Sequence, residues 1–590
     1  MVYSLRLFAG KPFAIDCTTF CIFSAKLHKS PISVACCNQI HDCLLSKNSF
    51  RIGLPYEKSD VQRAVGGAQS ELCGVGSNLT SERNGALQTN LLEYLEATAP
   101  RLPEKVAYSD GTDSVRFSEL LRASRAVGSA LLRMGAGRQP VAILMEKHPR
   151  VPSAFYGVIY AGCFYVPLDP SMPPARIEAI LAQVDARLLI ADDRCLDAAN
   201  SLHFSGKVLR YDELAASEID EGALAAVRRR QLDVDPVYIV FTSGSTGVPK
   251  GVAACHRSVI DYVEALCEAL GFSEDSVFAN QTPLFFDAPL KELMPVIKCG
   301  ATAYFVPKKL FSFPMLLCDF LNRYQINTVC WVVSALTQIS SLGALAKNPP
   351  RFLRTVAFGS EVFPPRQYRL WREALPDAAF FNLYGPTEAT GMSCWWRADR
   401  ELEEDEPIPV GRPFRNTGLL LIREDGTEAA PGEVGEIYLR GTCVTLGYFN
   451  NPEKTSEAFV QNPLQSNYPE TVYRTGDLGK LNRYGELVFL SRRDNQIKHM
   501  GHRIELGEIE AAALRSEAVR QAACVYDGER KRIVLYFTGP AGTAELNAAL
   551  RELLPRYMLP AVLRPLDAMP LTPNGKLDRK LLQLRAGTEP

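Results

Sequence analysis

Several features that would point to a function are missing from this 590-residue chain. It has no excess of charge, because 65 Lys and Arg residues stand against 66 Asp and Glu residues. That balance gives no sequence-wide electrostatic reason to bind nucleic acid or an acidic membrane. It also has no apolar run of the roughly 20 residues that a membrane helix needs. The longest run, 151–168, contains prolines and glycines and predicts a buried helix and strand. We therefore expect neither nucleic acid nor a membrane as a partner.

Signatures of disulfides and of zinc are missing as well. Most of the sixteen cysteines lie singly in apolar stretches, where a reduced cysteine packs as a small hydrophobic side chain. One cluster resembles metal ligands, but it has no C-x-x-C pair; it consists of Cys36, Cys37, His41 and Cys43. We expect a reducing, cytoplasmic location and no metal at that cluster.

The chain is too long for one compact core, so at least two domains are expected. Residues 1–85 contain six of the cysteines and end in a polar, Gly/Ser-rich stretch typical of a linker. We expect this part to be a disordered extension without chemistry. The remainder divides near Ser491 into a large part, 86–490, and a small part, 491–590.

The large part alternates apolar strand-like runs with helical stretches, which is typical of α/β layering. Its clearest strands are predicted at 141–145, 187–191 and 237–241, and its clearest helix at 173–184. The small part predicts an α+β domain, with strands at 522–527 and 532–537 and a helix at 544–554. The predicted fold class is therefore α/β: a large multi-layer N-terminal domain with α/β subdomains and a small α+β C-terminal domain.

The strongest local signal is TSGSTGVPKG, residues 242–251, which follows a predicted strand and precedes a helix-like stretch beginning near His256. Glycines let the backbone approach a phosphate and expose N–H groups, hydroxyls add donors, and a lysine adds positive charge. The sequence therefore predicts a phosphate-binding loop. Its contacts are expected from Thr242, Ser243, Gly244, Ser245, Thr246, Gly247 and Lys250.

Two better-known loops do not match this string. The ATPase loop ends in Gly-Lys-Ser/Thr, whereas Pro249 precedes the lysine here. A hydrolase elbow needs glycine where Ser243 stands, so a serine nucleophile has no support.

The loop resembles the signature of the adenylate-forming superfamily, which makes acyl-AMP from a carboxylate and ATP. Eight further strings of that superfamily follow in order: YVPLDP (165–170), FFDAPLKEL (285–293), NLYGPTEAT (382–390), GEIYLRG (435–441), YRTGDLG (473–479), RRDNQIKHMGHRIELGEIE (492–510), LPRYMLP (554–560) and NGKLDRK (574–580). Together they resemble amino-acid-adenylating domains of nonribosomal peptide synthetases and D-alanine:carrier-protein ligases across 90–585.

The resemblance implies a site for ATP and Mg²⁺. Tyr384 should stack on the adenine and Asn382 should read its amino edge, while Thr387 and Glu388 lie by the α-phosphate and Mg²⁺. Glu388 is the implied metal ligand. Attack by the substrate carboxylate builds negative charge on the phosphate, so a metal and cations there lower the barrier. The implied nucleotide site also includes Gly359 and Gly385.

Further matched positions imply the ribose contacts and a domain movement. Asp477 is placed like the carboxylate that accepts hydrogen bonds from both ribose hydroxyls. Arg492 resembles the arginine near the ribose and phosphates, and Asp494 resembles the hinge of a mobile small domain. Ser491 stands where the family usually has glycine. Lys576 resembles the lysine inserted between the substrate carboxylate and the α-phosphate; the implied catalytic residues are Lys576, Glu388 and Thr246.

An α-amino acid is the implied substrate, because Asp287 occupies the position whose carboxylate pairs with the substrate α-ammonium. Aryl-acid and fatty-acid members lack an aspartate there. Lys291 departs from the apolar residue often found at its position, and either points to solvent or meets a polar substrate group. The other positions are mostly apolar and suit a small or medium apolar side chain: Ala288, Cys330, Val356, Phe358, Leu383, Gly391 and Met392.

No phosphopantetheine-attachment motif follows NGKLDRK, so we expect transfer to the phosphopantetheine thiol of a separate carrier protein. In that step the small domain would rotate about Asp494 and bring residues 501–503 toward the site.

Two other functions stay open. An acyl- or aryl-CoA ligase shares the fold, but Asp287 argues against it. A catalytically silent carrier-binding scaffold has no need of the intact Thr246, Lys250, Glu388, Asp477 and Lys576.

Overall fold

The structure, a computed structural model, describes residues 87–244, 249–403, 406–493, 496–572 and 577–588. The predicted extension and its Cys/His cluster lie outside these ranges. Residues from Gln88 onward form one compact unit. Within the described ranges, no helix is both long enough and apolar enough to cross a membrane.

The first element of the fold is a six-stranded sheet. Its strands, in spatial order, are Lys207–Arg210, Leu188–Ala191, Pro140–Leu144, Phe164–Leu168, Pro236–Thr242 and Lys250–Cys255. The first five are parallel and the last is antiparallel to its neighbour. The predicted strands at 141–145, 187–191 and 237–241 are confirmed, as is the helix, which spans Pro174–Gln183.

A nine-stranded sheet stands beside it. Its order is Arg412–Pro413, Cys394–Arg397, Ala379–Tyr384, Thr355–Gly359, Thr328–Val332, Val277–Asn280, Thr302–Phe305, Val106–Ser109 and Ser114–Arg116. The six inner strands are parallel, and antiparallel strands close both edges. The loops after the parallel strands therefore meet at one edge of the sheet, where α/β folds bind ligands.

Helices cover the two sheets. Those of eight or more residues in the large part are Leu92–Arg101, Phe117–Arg133, Val151–Tyr160, Pro174–Gln183, Glu221–Arg228, His256–Leu270, Leu290–Cys299, Pro314–Arg323, Val333–Ser341 and Pro365–Ala374. Shorter ones are Leu196–Ser201, Tyr211–Ala215, Ala344–Lys347 and Pro452–Ala458. One apolar core joins the sheets through these helices: it contains Tyr238 of the first sheet, Phe278 of the second and Leu266 of a helix between them. The predicted α/β layering is thus confirmed.

A five-stranded antiparallel sheet completes the large part. It consists of Thr417–Ile422, Gly435–Gly441, Thr471–Leu481 and Phe459–Gln461, with Leu487–Arg492 also paired to Thr471–Leu481. The register sets Asp477 opposite Arg492, which brings these two predicted nucleotide contacts together.

The small part begins with a hairpin of strands Gln496–His499 and His502–Glu505, called here the small-part hairpin. A sheet of Gln521–Asp527, Arg532–Thr538 and Val562–Pro565 follows, with helices Leu506–Ala513, Thr543–Leu553 and Arg579–Thr588. These elements bury a core of their own around Ile509, Leu535 and Leu546. The predicted α+β character is confirmed.

Candidate active site

The predicted phosphate loop connects two antiparallel strands. Thr242 ends one strand and pairs with Lys250, the first residue of the next. The sequence did not predict that second strand, Lys250–Cys255, each residue of which pairs with a residue of Pro236–Thr242. The helix begins only at His256. Ser245, Thr246 and Gly247 lie outside the described residues.

Groups of the small part occupy the described end of this loop. The Ser243 hydroxyl donates to the carbonyl oxygen of Arg503 at 2.9 Å and accepts from the Glu505 N–H at 3.1 Å. The Gly244 N–H donates to Glu508 Oε2 at 3.1 Å. Lys250 Nζ lies 3.6 Å from Glu505 Oε1. In this arrangement, donors that were predicted to bind phosphate oxygens bind groups of the small part instead. We call it the closed arrangement.

Glu388 is fully buried in a short 3-10 helix, Thr387–Ala389, that follows the strand Ala379–Tyr384. Its Oε1 accepts from the Tyr448 hydroxyl at 2.7 Å, and its Oε2 lies 2.6 Å from Arg503 Nη1. Burial alone would raise the pKa of Glu388, but the charges of Arg503 and Lys250 outweigh it and hold the pKa at about 2. The carboxylate is therefore ionised at neutral pH.

Asp477, the predicted ribose contact, is buried and shares its two oxygens between two partners. Oδ1 lies 2.6 Å from Arg492 Nη1, and Oδ2 accepts from the Tyr384 hydroxyl. Lys498 lies 5.7 Å from the centre of the Tyr384 ring. Burial lowers the pKa of Lys498, and the negative charge of Asp477 opposes that effect. Tyr384, Asp477 and Arg492 thus form one cluster in the structure.

Two predicted glycines are required by close backbone packing. A Cβ atom at Gly359 would meet the Leu383 carbonyl oxygen at 2.3 Å, and one at Gly385 would meet that of Gly391 at 2.3 Å. Asn382 does not line the cavity described below; its side-chain nitrogen donates to the Pro409 carbonyl at 2.8 Å.

Asp287 lies in the loop that follows the strand Val277–Asn280, just before the helix Leu290–Cys299. Its carboxylate faces the cavity and makes no ion pair with any described residue. Enclosure by the protein raises its pKa, which the Thr387 hydroxyl and the Lys291 charge oppose. A free carboxylate of this kind suits a cationic group of a ligand.

The predicted pocket residues divide between two faces of the nine-stranded sheet. Cys330 and Leu383 belong to the core on the side of Asp287. Val356 and Phe358 belong to the opposite core, where Phe358 contacts Phe363 with ring centres 4.9 Å apart. Placing Val356 and Phe358 in the pocket is therefore corrected, because side chains alternate along a strand. Ala357 and Gly359 occupy the alternate positions.

The small-part hairpin inserts its turn at the carboxyl edge of that sheet. The Gly501 N–H donates to Glu361 Oε1 at 2.9 Å, and the other oxygen of Glu361 accepts from the Ser334 N–H at 2.7 Å. Gly501 has φ +80°, and a Cβ atom there would meet Val332 at 2.4 Å. In the closed arrangement residues 501 and 503 therefore contact the large part at the site.

Aromatic rings line one wall of the site. His502 stacks on Tyr557 with ring centres 4.0 Å apart, and Phe286 lies 5.1 Å from His502. Burial lowers the pKa of His502 to about 4, helped by His499 and Lys308. This wall is neutral at physiological pH.

One cavity unites the two predicted halves of the site, with about 980 Å³ of empty volume including its mouth. The predicted residues that line it are Thr242, Ser243, Asp287, Ala288, Gly385, Thr387, Gly391, Met392, Asp477 and Arg492. Asp494 and Lys576 lie outside the described residues.

Sequence reasoning missed several side chains at this site. Tyr448 and Arg503 bind Glu388, and Glu361 holds the hairpin turn. Arg503 lies within the matched string 492–510 and could have been singled out as a cation there. The partners of Tyr448 and Glu361 depend on long-range packing and leave no local signal.

The fold and site define an adenylate-forming enzyme, and comparison with known families agrees. The AMP-binding enzyme family matches residues 95–449, and the AMP-binding enzyme C-terminal domain matches residues 508–576. The chain belongs to the AMP-binding enzyme family. The family predicted from the motifs is confirmed.

The chain is similar to individual proteins of known activity and to solved structures. The chain is 32% identical to the L-proline–(L-prolyl-carrier protein) ligase of Streptomyces coelicolor, covering 81% of this chain and 94% of that protein. It is 31% identical to the ligase of the same name from Pseudomonas fluorescens, covering 83% and 98%. Among solved structures, it resembles holo-PA1221, a nonribosomal peptide synthetase protein with adenylation and PCP domains bound to a vinylsulfonamide inhibitor. That match has TM-score 0.71, 26% identity and 84% coverage of both chains.

Proposed function

We propose that the chain adenylates an amino acid with ATP, releases pyrophosphate, and transfers the aminoacyl group to the phosphopantetheine thiol of a separate carrier protein. The observation that carries this proposal is the unpaired carboxylate of Asp287 in the cavity. An α-ammonium supplies its missing partner, whereas a fatty or aryl acid brings none. The two carrier-protein ligases and the adenylation–PCP protein to which the chain is similar support the same reaction.

For the first half-reaction we assign each end of ATP to one group of residues. Tyr384 packs on the adenine, with Asn382 and Gly359 behind it, and Asp477 and Arg492 hold the ribose. ATP supplies the electrophilic α-phosphorus and the leaving group. The β- and γ-phosphates are assigned to Thr242, Ser243, Gly244, Ser245, Thr246, Gly247 and Lys250, whose described members cluster beside the cavity.

Mg²⁺ fits this donor set at Glu388. Mg²⁺ commonly takes one or two protein carboxylates together with substrate phosphates. Glu388 is buried and ionised, and Arg503 is the cation that compensates its charge in the closed arrangement. Glu388 would hold the metal once Arg503 has moved away, and the bound metal would offset charge that develops on the phosphates.

We assign Lys576 a catalytic role in adenylation, the first half-reaction. We assign the small-part hairpin a role in transfer to the carrier, the second half-reaction. Lys576 contacts the substrate carboxylate and α-phosphate, and the small part then turns about Asp494.

In transfer, the carrier thiol sulfur bonds to the acyl carbon and the bond from that carbon to the AMP oxygen breaks. AMP leaves with the electron pair, and the thiol loses its proton. The aromatic wall of Phe286, His502 and Tyr557 lies where a thiol arm would enter.

We further assign the domain boundaries 86–490 and 491–590 and a cytoplasmic location. The last strand of the large part ends at Arg492 and the small-part hairpin begins at Gln496, which supports a boundary beside Asp494. All ten described cysteines are free, which suits a reducing compartment.

Trapping of the activated acid with hydroxylamine tests the role of Asp287. The full chain, ATP, Mg²⁺ and each amino acid are expected to give an aminoacyl hydroxamate. D287N removes the charge that pairs with the ammonium, so the yield should fall about 100-fold or more. D425N, in an exposed turn, is the matched control and should match the unaltered chain. Equal yields from D287N and the unaltered chain would overturn the assignment.

A further inference from the structure

Two buried hydrogen-bond donors close to Asp287 have no hydrogen-bond acceptor among the residues that the structure describes. Lys291, in the helix Leu290–Cys299, is 3% exposed and makes no hydrogen bond or ion pair with any described residue. Tyr262, in the helix His256–Leu270, is 4% exposed, and its hydroxyl makes no hydrogen bond within the described ranges. A buried cation without a partner is costly, so both groups call for an acceptor that a ligand brings. The alternative that Lys291 points to solvent is excluded by its burial.

Both donors lie around the cavity residue Asp287. Backbone hydrogen bonds from Leu290 and Lys291 to the carbonyls of Asp287 and Ala288 form the turn between Asp287 and the helix that carries Lys291. On the other side, a Cβ atom at Gly391 would lie 3.8 Å from both Asp287 Oδ2 and the Tyr262 hydroxyl. Tyr262 and Asp287 thus both reach Gly391, which lines the cavity, and Lys291 follows Asp287 by four residues.

Cys330 and Tyr262 belong to one buried core, on the side of the nine-stranded sheet that carries the pocket. Burial raises the pKa of the Cys330 thiol, Glu292 raises it further, and the charge of Lys291 opposes the shift. Burial also raises the pKa of Tyr262, and the charges of Cys330 and Asp287 add to that rise.

The carboxyl groups whose pKa the charge of Lys291 lowers are Asp287 and Glu292, and neither forms an ion pair with Lys291 among the described residues. Lys147 is satisfied by the carbonyl oxygens of Asn280 and Gln281 at 2.9 and 3.2 Å. Glu292 is fully buried, and its Oε2 accepts from Asn280 at 3.1 Å. Burial raises the pKa of Glu292 to about 7, so about half of this group is neutral at that pH. Lys291 therefore keeps positive charge to offer to a ligand.

We propose that Lys291 and Tyr262 form a subsite for a side-chain carboxylate, so that the enzyme activates a dicarboxylic amino acid. This inference rests on the proposed function, because Asp287 must hold the α-ammonium. Lys291 follows Asp287 by four residues across the turn that begins the helix, a short separation that suits a side chain of one or two methylene groups before the carboxylate. The ammonium and the phenol O–H both donate to that carboxylate, while Leu383 and Met392 contact the methylene groups.

Pyrophosphate exchange into ATP, measured with the full chain, tests the subsite. The amino acids compared are aspartate and glutamate in both enantiomers, their amides asparagine and glutamine, and the apolar leucine and methionine. We expect kcat/KM to be highest for an acidic amino acid. Loss of a buried charged partner typically costs a factor of about 100, so K291M should lower exchange with that acid by about this factor and raise exchange with leucine or methionine. Y262F should lower it about tenfold.

Two further variants separate a specificity role from a structural one. K298M lies on the same helix, where Lys298 pairs with Glu264 at 2.9 Å outside the pocket, and should keep the original preference. K291R retains the charge and should retain the acidic preference, with thermal unfolding checked for each variant. Exchange that favours apolar amino acids in the unaltered chain would overturn the subsite and leave the proposed function standing. Absence of exchange with every amino acid would instead overturn the proposed function.

Discussion

Glu388 is the residue at which the two half-reactions meet. In the closed arrangement its carboxylate is bound by Arg503 and Tyr448, yet the same carboxylate is the assigned ligand of Mg²⁺. We infer that the Arg503 guanidinium, 2.6 Å from Glu388 Oε2, competes with a metal ion for that carboxylate. The closed arrangement is therefore expected to disfavour metal binding at this residue.

Replacing Arg503 should separate the two half-reactions. R503M leaves the buried charge of Glu388 unpaired only in the closed arrangement, a penalty of about 3–5 kcal/mol. We expect transfer to the carrier to fall about tenfold or more, while pyrophosphate exchange stays within about threefold. The measurement is loading of a phosphopantetheinylated carrier domain by intact-protein mass spectrometry, with exchange measured in parallel.

R493M is the matched control for that variant, since Arg493 pairs with Glu436 and is half exposed. It should leave both rates unchanged. An R503M protein that slows exchange as much as loading would contradict a role confined to the closed arrangement.

For single residues, the sequence indicated which residues belong to the site better than it indicated what each of them contacts. Asp477 and Arg492 were each assigned to the ribose region of the nucleotide site, and in the structure they form an ion pair. The burial of Lys291 could not be predicted, because it depends on packing against elements that are distant in the chain. Burial of a lysine has no local sequence signal when the residues around it are distant in the chain.

At the scale of elements, strand alternation decides which side chains reach the pocket. The strand Thr355–Gly359 is buried on both faces, so its sequence TVAFG gives no alternation of apolar and polar residues from which to assign a face. The structure assigns Phe358 away from Asp287 and Ala357 toward it. The strand Lys250–Cys255 was missed for a related reason: apart from Val252, its run of small residues has none of the β-branched and aromatic side chains that mark a strand.

The first residue of the helix His256–Leu270 is a buried histidine whose imidazole makes a hydrogen bond only in its neutral form. His256 is 1% exposed, and its Nδ1 accepts from the Leu91 N–H at 3.1 Å. Burial, and then the charge of Arg228, lower its pKa to about 4. In an unfolded chain histidine has a pKa of about 6.5. Between these two pH values the unfolded chain binds the proton and the folded chain does not, so stability falls as the pH falls.

H256Q should therefore reduce the sensitivity of the fold to acid. Between pH 7.5 and 5 the unaltered chain loses about 2 kcal/mol through this group, a loss that H256Q lacks. Thermal unfolding at both pH values measures it: the drop in melting temperature should be smaller in H256Q, whatever its stability at pH 7.5. Equal drops in the two proteins would contradict the buried, neutral histidine.

At the scale of the whole molecule, closure and triphosphate binding compete for the same loop. Glu508 is fully enclosed between Arg176, 2.5 Å from its Oε1, and the Gly244 N–H on its Oε2. Glu505 lies against Lys250. Two carboxylates of the small part thus take donors assigned to phosphate oxygens. Pyrophosphate must leave before the closed arrangement forms.

Hydrogen exchange of the small-part hairpin should report this competition. Adding ATP and Mg²⁺ without an amino acid should speed exchange of the peptide 496–505, because the phosphates displace Glu505 and Glu508. E508Q should speed exchange of that peptide even without nucleotide, since the buried charge of Arg176 loses its partner.

E517Q alters an exposed glutamate of the small part and should exchange like the unaltered chain. Exchange of the hairpin that is insensitive to both ATP and E508Q would contradict the competition.

Pyrophosphate exchange into ATP measures directly whether the chain activates an amino acid. All proteinogenic amino acids in both enantiomers are compared with benzoates and fatty acids, using the full chain and K576A. Exchange is expected to depend on an amino acid, to be absent with aryl and fatty acids, and to be lost in a normally folded K576A. Exchange supported by a benzoate or a fatty acid, and by no amino acid, would show that the chain does not activate amino acids.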